Sequence, residues 1–196
     1  MHLAFDIFQG LGIAAAVGIR PFIPALVVGG LGAAGFQVHF GGTDYSFLQS
    51  TPFLLAVVLG AIVVSILERQ LGPDRTDNGP FPALLVMIGV FLGALLFAGA
   101  LAQHHHAAWP GWVGGVVCAL LAAAATRPLL VRVRARLDAQ AASATTLFAE
   151  GTALLLAFLS AVAPPVAPVA MLTLLWLLLA GRRREGQKYA GLRILR

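Results

Sequence analysis

Arg20 is followed directly by Pro21 and then by Pro24 in the apolar string GIAAAVGIRPFIPALVVGG, and it is the one charge between Gly10 and Phe36. A guanidinium is planar, permanently charged, and carries a fork of donors that matches phosphate or carboxylate. Inside an apolar stretch it is costly unless an anion, a partner acid or backbone carbonyls meet it, so an intramembrane arginine marks a candidate site. Pro21 removes the backbone donor beside it and breaks the helix there. The half-helix that starts at Pro21 aims the positive end of its dipole at the same place. Together Arg20, Pro21 and Pro24 fit reception of an anionic group.

Two carboxylates are candidates to neutralise Arg20 in an ion pair or to carry a proton. Glu68 closes Ser65-Ile66-Leu67-Glu68-Arg69, where a basic neighbour is at hand; Glu150 opens Leu147-Phe148-Ala149-Glu150-Gly151-Thr152, with no lysine or arginine within ten positions on either side. Glu150 is therefore the expected partner of Arg20. A second break stands at Ala163-Pro164-Pro165-Val166-Ala167-Pro168, and Pro164 and Pro165 join the candidate ligand positions because broken intramembrane helices expose backbone polar groups.

Other reactive types read as structural. The string Gly72-Pro73-Asp74-Arg75-Thr76-Asp77-Asn78-Gly79-Pro80 lacks the spaced ligands of a calcium loop and reads as a solvated turn. His104, His105 and His106 are adjacent, so they cannot share one site on a helix, and Cys118 stands alone. No metal and no cofactor is expected. No nucleophile with an activating base and no phosphate loop is visible, so the reading is noncatalytic.

The elements that must position these residues are membrane spans. The chain has 59% apolar and 11% charged residues, with a mean hydropathy of +0.89, far outside soluble averages. The fold class that follows is all-α, a polytopic transmembrane bundle in one domain over 1–196. Its apolar segments run over about 8–36, 52–67, 81–102, 109–130, 147–163 and 166–180, and a basic tail covers 181–196. The N-terminus lacks a basic n-region and carries Asp6, which argues against a cleaved signal peptide. Net charge is +5, but the basic residues follow hydrophobic spans instead of interleaving with aromatics, which disfavours nucleic acid. By the positive-inside rule, residues 69–80, 131–146 and 181–196 read as cytoplasmic and residues 37–51 and 103–108 as outside.

Both broken segments are too long to cross as one straight helix. Gly10 to Phe36 would reach about 40 Å as one helix and Leu147 to Ala180 about 50 Å, against an apolar slab of ~30 Å. The last segment reads as a helical hairpin with both ends cytoplasmic; the first reads as either a hairpin opening outward or one bent crossing. Ala14-Ala15-Ala16-Val17-Gly18-Ile19-Arg20-Pro21 also has a faint echo in Ala122-Ala123-Ala124-Ala125-Thr126-Arg127-Pro128. Gly89 and Gly93 make a GxxxG, and such small faces bring helices together within one bundle or between copies of the chain.

At Gly18-Ile19-Arg20-Pro21-Phe22-Ile23-Pro24, at the turn after Glu68 and at Glu150, the chain resembles bacterial membrane proteins grouped as domain of unknown function 4126. In that family the first segment joins a glycine, a small spacer, an arginine and a proline-containing run, and the last opens with an acidic pair. Arg20 and Glu150 match; Gly151 replaces the second acid, and Arg69-Gln70-Leu71-Gly72-Pro73-Asp74 departs from the family's aspartate-lysine-proline turn. The resemblance implies a multi-pass protein of the bacterial inner membrane and no activity. The expected function is transport-related, as a carrier, channel or lipid flippase in which Arg20 meets an anionic solute or lipid head group. The alternative is a noncatalytic component that stabilises a partner complex. The expected partners are the bilayer, that anionic group and a second copy of the chain.

Overall fold

The structure is a computed structural model that describes the backbone of residues 2–77, 79–137 and 139–190, and the side chains of 3–71, 79–137 and 144–182. Among the described residues it is all helical, with α1 (His2–Ile19), α2 (Phe22–Ala33), a 3-10 turn (Ser46–Gln49), α3 (Thr51–Asp77), α4 (Pro80–Ala102), α5 (Trp109–Arg134), α6 (Ala139–Val162) and α7 (Val166–Ala190).

The break between α1 and α2 follows from its prolines. The Arg20 N–H donates to the Ala16 carbonyl at 3.1 Å and closes the α1 ladder; Pro21 has no donor, so the Val17 carbonyl loses its helical partner. That oxygen lies against Gly89 of α4, where an added Cβ would stand 3.0 Å away. Pro21 and Pro24 also remove two N–H groups that the first turn of α2 would otherwise leave without helical partners. The α6–α7 break repeats this spacing in Pro165 and Pro168. A proline alone is not sufficient, since α5 runs straight through Pro128.

Both broken segments turn back on themselves. Gly32 of α2 lies beside Phe40 and Gln49, while Phe22 packs on Gly60 in the middle of α3, so α2 runs back against the direction of α1. Ser160 of α6 and Ala167 of α7 both close on Gly12 of α1. Their far ends meet the end of α5, through Arg134 with Thr145 and Thr146 and through Gly181 with Arg132. The two pairs thus open at opposite ends of the bundle, α1–α2 at the end marked by Asp6 and α6–α7 at the end marked by Arg20.

Helix α1 is the axis. It is ringed in order by α4, α5, α7, α6 and α2, while α3 stands outside against α2. Ile13 through Val17 have no exposed surface, which is why this helix is apolar on every side. Small residues allow the approach: a Cβ on Gly93 would sit 3.1 Å from the Ala119 side chain and 3.3 Å from the Ala14 carbonyl. The Gly89–Gly93 face is therefore filled by α1 and α5 of the same chain.

The outside of the bundle is apolar. On α3, Leu55, Leu59, Ile62, Val63 and Ile66 are all exposed, Leu59 by 61%, a face that soluble monomers rarely present. Four stretches, Thr51–Leu71, Pro80–Ala102, Trp109–Arg134 and Ala144–Val162, are long and apolar enough to cross a membrane. Leu3–Ile19, Phe22–Ala33 and Val166–Arg182 are shorter apolar helices. The turn expected at Gly72–Pro80 begins later, because α3 continues through Gly72 and Pro73 to Asp77. At a hydrated helix end water can take the carbonyl that proline frees, so the composition there did not stop the helix. The side chains of 72–78 lie outside the described residues. Likewise α7 carries the first part of the basic tail, to Ala190, as helix.

Candidate functional site

At its Arg20 end the bundle holds a cavity of about 80 Å³, lined by the end of α1, the start of α4, Glu68 of α3, and Arg127 and Arg134 of α5. That is well above the roughly 10–15 Å³ one ordered water needs. The break after Ile19 places Arg20 at its wall, and one Arg20 Nη donates to Glu68 Oε1 at 2.6 Å. The two side chains are 12% and 15% exposed. Arg127 donates to the Pro82 carbonyl at the start of α4, and Arg134 donates to Thr145 and Thr146 of α6 at 3.1 and 3.0 Å. Among the described lining residues, three guanidinium groups and one carboxylate face the cavity. Each arginine is held by a neighbouring helix, so their forks are oriented before any anion arrives. Pre-oriented arginine forks are the usual receptor for phosphate or carboxylate.

The acid that meets Arg20 is Glu68, whereas the sequence reading favoured Glu150. Glu68 pairs not with the adjacent Arg69 of the sequence expectation but with Arg20, 48 positions away and brought close by the fold. Glu150 lies part-buried on α6 and makes no hydrogen bond or ion pair among the described residues. Pro21 lines the cavity and Pro24 is buried behind it in α2. Pro164 and Pro165 are at the opposite end, in the α6–α7 turn, and are not brought to this site.

Arg127 was noticed in the sequence only within the echo of the first segment. Helices α1 and α5 lie side by side in parallel, and the two Arg-Pro pairs, Arg20-Pro21 and Arg127-Pro128, finish at the same end with both arginines on one cavity. The repeated dipeptide was the available signal.

A second polar cluster closes the Asp6 end. Asp6 is 2% exposed; its Oδ1 accepts from Gln103 Nε2 at 2.9 Å, and both its oxygens lie 2.9 Å from His104 Nδ1. His106 Nε2 is 3.7 Å from Asp6 Oδ2. Gln9 accepts from Gln103 at 2.8 Å and donates to the Ala161 carbonyl at 3.2 Å. The chain of amides and acid thus ties α1, α4, α6 and the α4–α5 turn together. Asp6 and Gln9 at i and i+3 on an apolar helix share one face, and that pair is the signal in the sequence for this cluster. Among the described residues no group of three His, Cys, Asp or Glu is arranged to hold a metal ion.

A helical bundle with an apolar girdle, a central helix enclosed over Ile13–Val17 and a basic cavity sunk at one end defines a membrane-protein class. Within that class, the chain belongs to the family described as Domain of unknown function (DUF4126), which it matches over residues 7–184. No curated protein and no solved structure matches it.

Proposed function

We propose that this protein is a small transport component of the membrane, in which the cavity between Arg20, Arg127 and Arg134 receives the anionic group of a solute or lipid. The observation that carries the reading is three oriented guanidinium groups facing one carboxylate. Three guanidinium groups converging on one hollow supply the planar donor forks that a phosphate or carboxylate needs. The break at Arg20-Pro21 and the oppositely opening pairs α1–α2 and α6–α7 suit a carrier built from hairpins that enter the membrane from opposite faces. Arg69, Arg132, Arg134 and Arg182 gather at the Arg20 end, which supports a cytoplasmic position for that end and for the C-terminus.

The ion pair between Arg20 and Glu68 favours a second reading, in which Arg20 is interhelical glue in a protein that stabilises a partner complex. Liposome flux and equilibrium binding of phosphate, sulfate and small carboxylates separate the two. In the transport reading Arg127→Gln and Arg134→Gln each weaken anion binding at least tenfold while the bundle stays folded. Unchanged binding in both variants would end the transport reading and leave the glue.

A further inference from the structure

A second and larger hollow, about 440 Å³, runs along the outside of the bundle between α5 and α7. Its floor is Leu120, Ala123, Ala124, Leu177 and Leu178, and one end is capped by Arg127, Arg132 and Arg182, with no acid among the described lining residues. The Arg132 Nε donates to the Pro128 carbonyl at 3.0 Å, which fixes the plane of its guanidinium. One Nη of the same group lies over Gly181 of α7, 3.3 Å from where a Cβ would be. Long apolar floor and cationic cap have the polarity of a phospholipid, with hydrocarbon along the helices and phosphate at the interface. Basic pockets between membrane helices take anionic head groups in this way.

We propose that this hollow is a binding site for an anionic phospholipid, one acyl chain lying on the alanine and leucine floor and the phosphate held by Arg132 and Arg182. Arg127 lines both this hollow and the three-arginine cavity, so a bound head group would stand one side chain away from that cavity. The proposal does not depend on what the cavity does, and its test is arranged accordingly. Zwitterionic lipid fits the floor equally well but forgoes the net charge match; a free phosphate satisfies the arginines but leaves the floor empty. Charge and chain are both needed.

The test is native mass spectrometry of the intact protein released from a nonionic detergent, titrated with dioleoyl phosphatidylglycerol, dioleoyl phosphatidylcholine or glycerol 3-phosphate. The wild type should retain phosphatidylglycerol about tenfold or more tightly than phosphatidylcholine, and glycerol 3-phosphate should not compete. The double variant Arg132→Gln/Arg182→Gln should lose that preference. Ala124→Phe, an exposed position on the floor, should weaken retention of both lipids with every charge intact, and Glu150→Gln, on α6 and outside the lining of this hollow, should leave lipid retention unchanged. Each variant's melting temperature reports separately whether it folds. Equal retention of the two lipids by the wild type, undiminished preference in the double variant, or full competition by glycerol 3-phosphate would each overturn the proposal. A loss in Arg20→Gln with none in the double variant would overturn it as well, by assigning the lipid to the cavity.

Discussion

Replacing Glu68 by glutamine removes the acid that, among the described residues, lines the cavity with the three arginines, while keeping its volume. Breaking a fully buried pair costs roughly 3–5 kcal/mol because the remaining charge is stranded. Here the side chains are 12% and 15% exposed and adjoin a cavity large enough for water, so about 2 kcal/mol is the expected loss. For a chain of this length each kcal/mol moves the melting temperature by roughly 2–4 °C. Glu68→Gln should therefore melt roughly 4–8 °C early in detergent. Arg20→Gln should cost less, since Glu68 then remains in a cavity that still has Arg127 and Arg134 on its wall. The double variant should recover most of the loss. Millimolar phosphate or sulfate should also rescue Glu68→Gln, because the anion replaces the lost carboxylate among three cations, and should do little for the double variant. Thermal melts of the four proteins, with and without anion, are the assay. If Glu68→Gln melts with the wild type and ignores added anion, the pair contributes nothing and the electrostatic account of the cavity is wrong.

Glu150→Gln should change the melting temperature little, within the roughly 0.5 kcal/mol typical of positions away from specific contacts. Asp6→Leu should destabilise by about 1–3 kcal/mol, because Gln103 and His104 lose their acceptor at a buried position; Gln103→Leu, measured in the same melts, should couple with it and not add to it. Single cysteines in a Cys118→Ala background should be labelled from outside the cell at Asp44 and should be protected at Ala135, two exposed positions at opposite ends of the bundle. The reverse pattern would invert the proposed orientation.

The class and the two breaks were legible because both are local. Apolar spans declare themselves by length, and Pro21 and Pro165 act on donors within one turn. What sequence could not supply was pairing across distance. Glu68 and Glu150 differ little as isolated carboxylates near span ends; the choice between them was made by α2 doubling back and setting α3 beside the Arg20 break. The same holds for Asp6 and His104, whose contact spans 98 positions and required α1 and α4 to lie antiparallel with matched ends. The helical extension of α3 past Pro73 was hidden for a different reason, since turn-forming composition stops a helix only where the freed backbone groups cannot be hydrated.

The enclosure of α1 also has a consequence in time. This helix leaves the ribosome before every element that covers it, and Gln9 must wait 152 residues for the Ala161 carbonyl. At synthesis rates of roughly 5–20 residues per second, that is a delay of roughly 8–30 s. Glu68 arrives 48 residues after Arg20, within roughly 2–10 s at the same rates, so the Arg20 charge is sheltered long before the Asp6 end is tied. Order of synthesis alone makes the α1–α3 segment the first available, with α4 and α5 then able to close one side of α1 and the α6–α7 pair the other. Until that last pair inserts, the helix that ends as the driest part of the molecule has one flank open to lipid or to the insertion machinery, and a nascent chain truncated before residue 139 should be the form that such machinery holds longest.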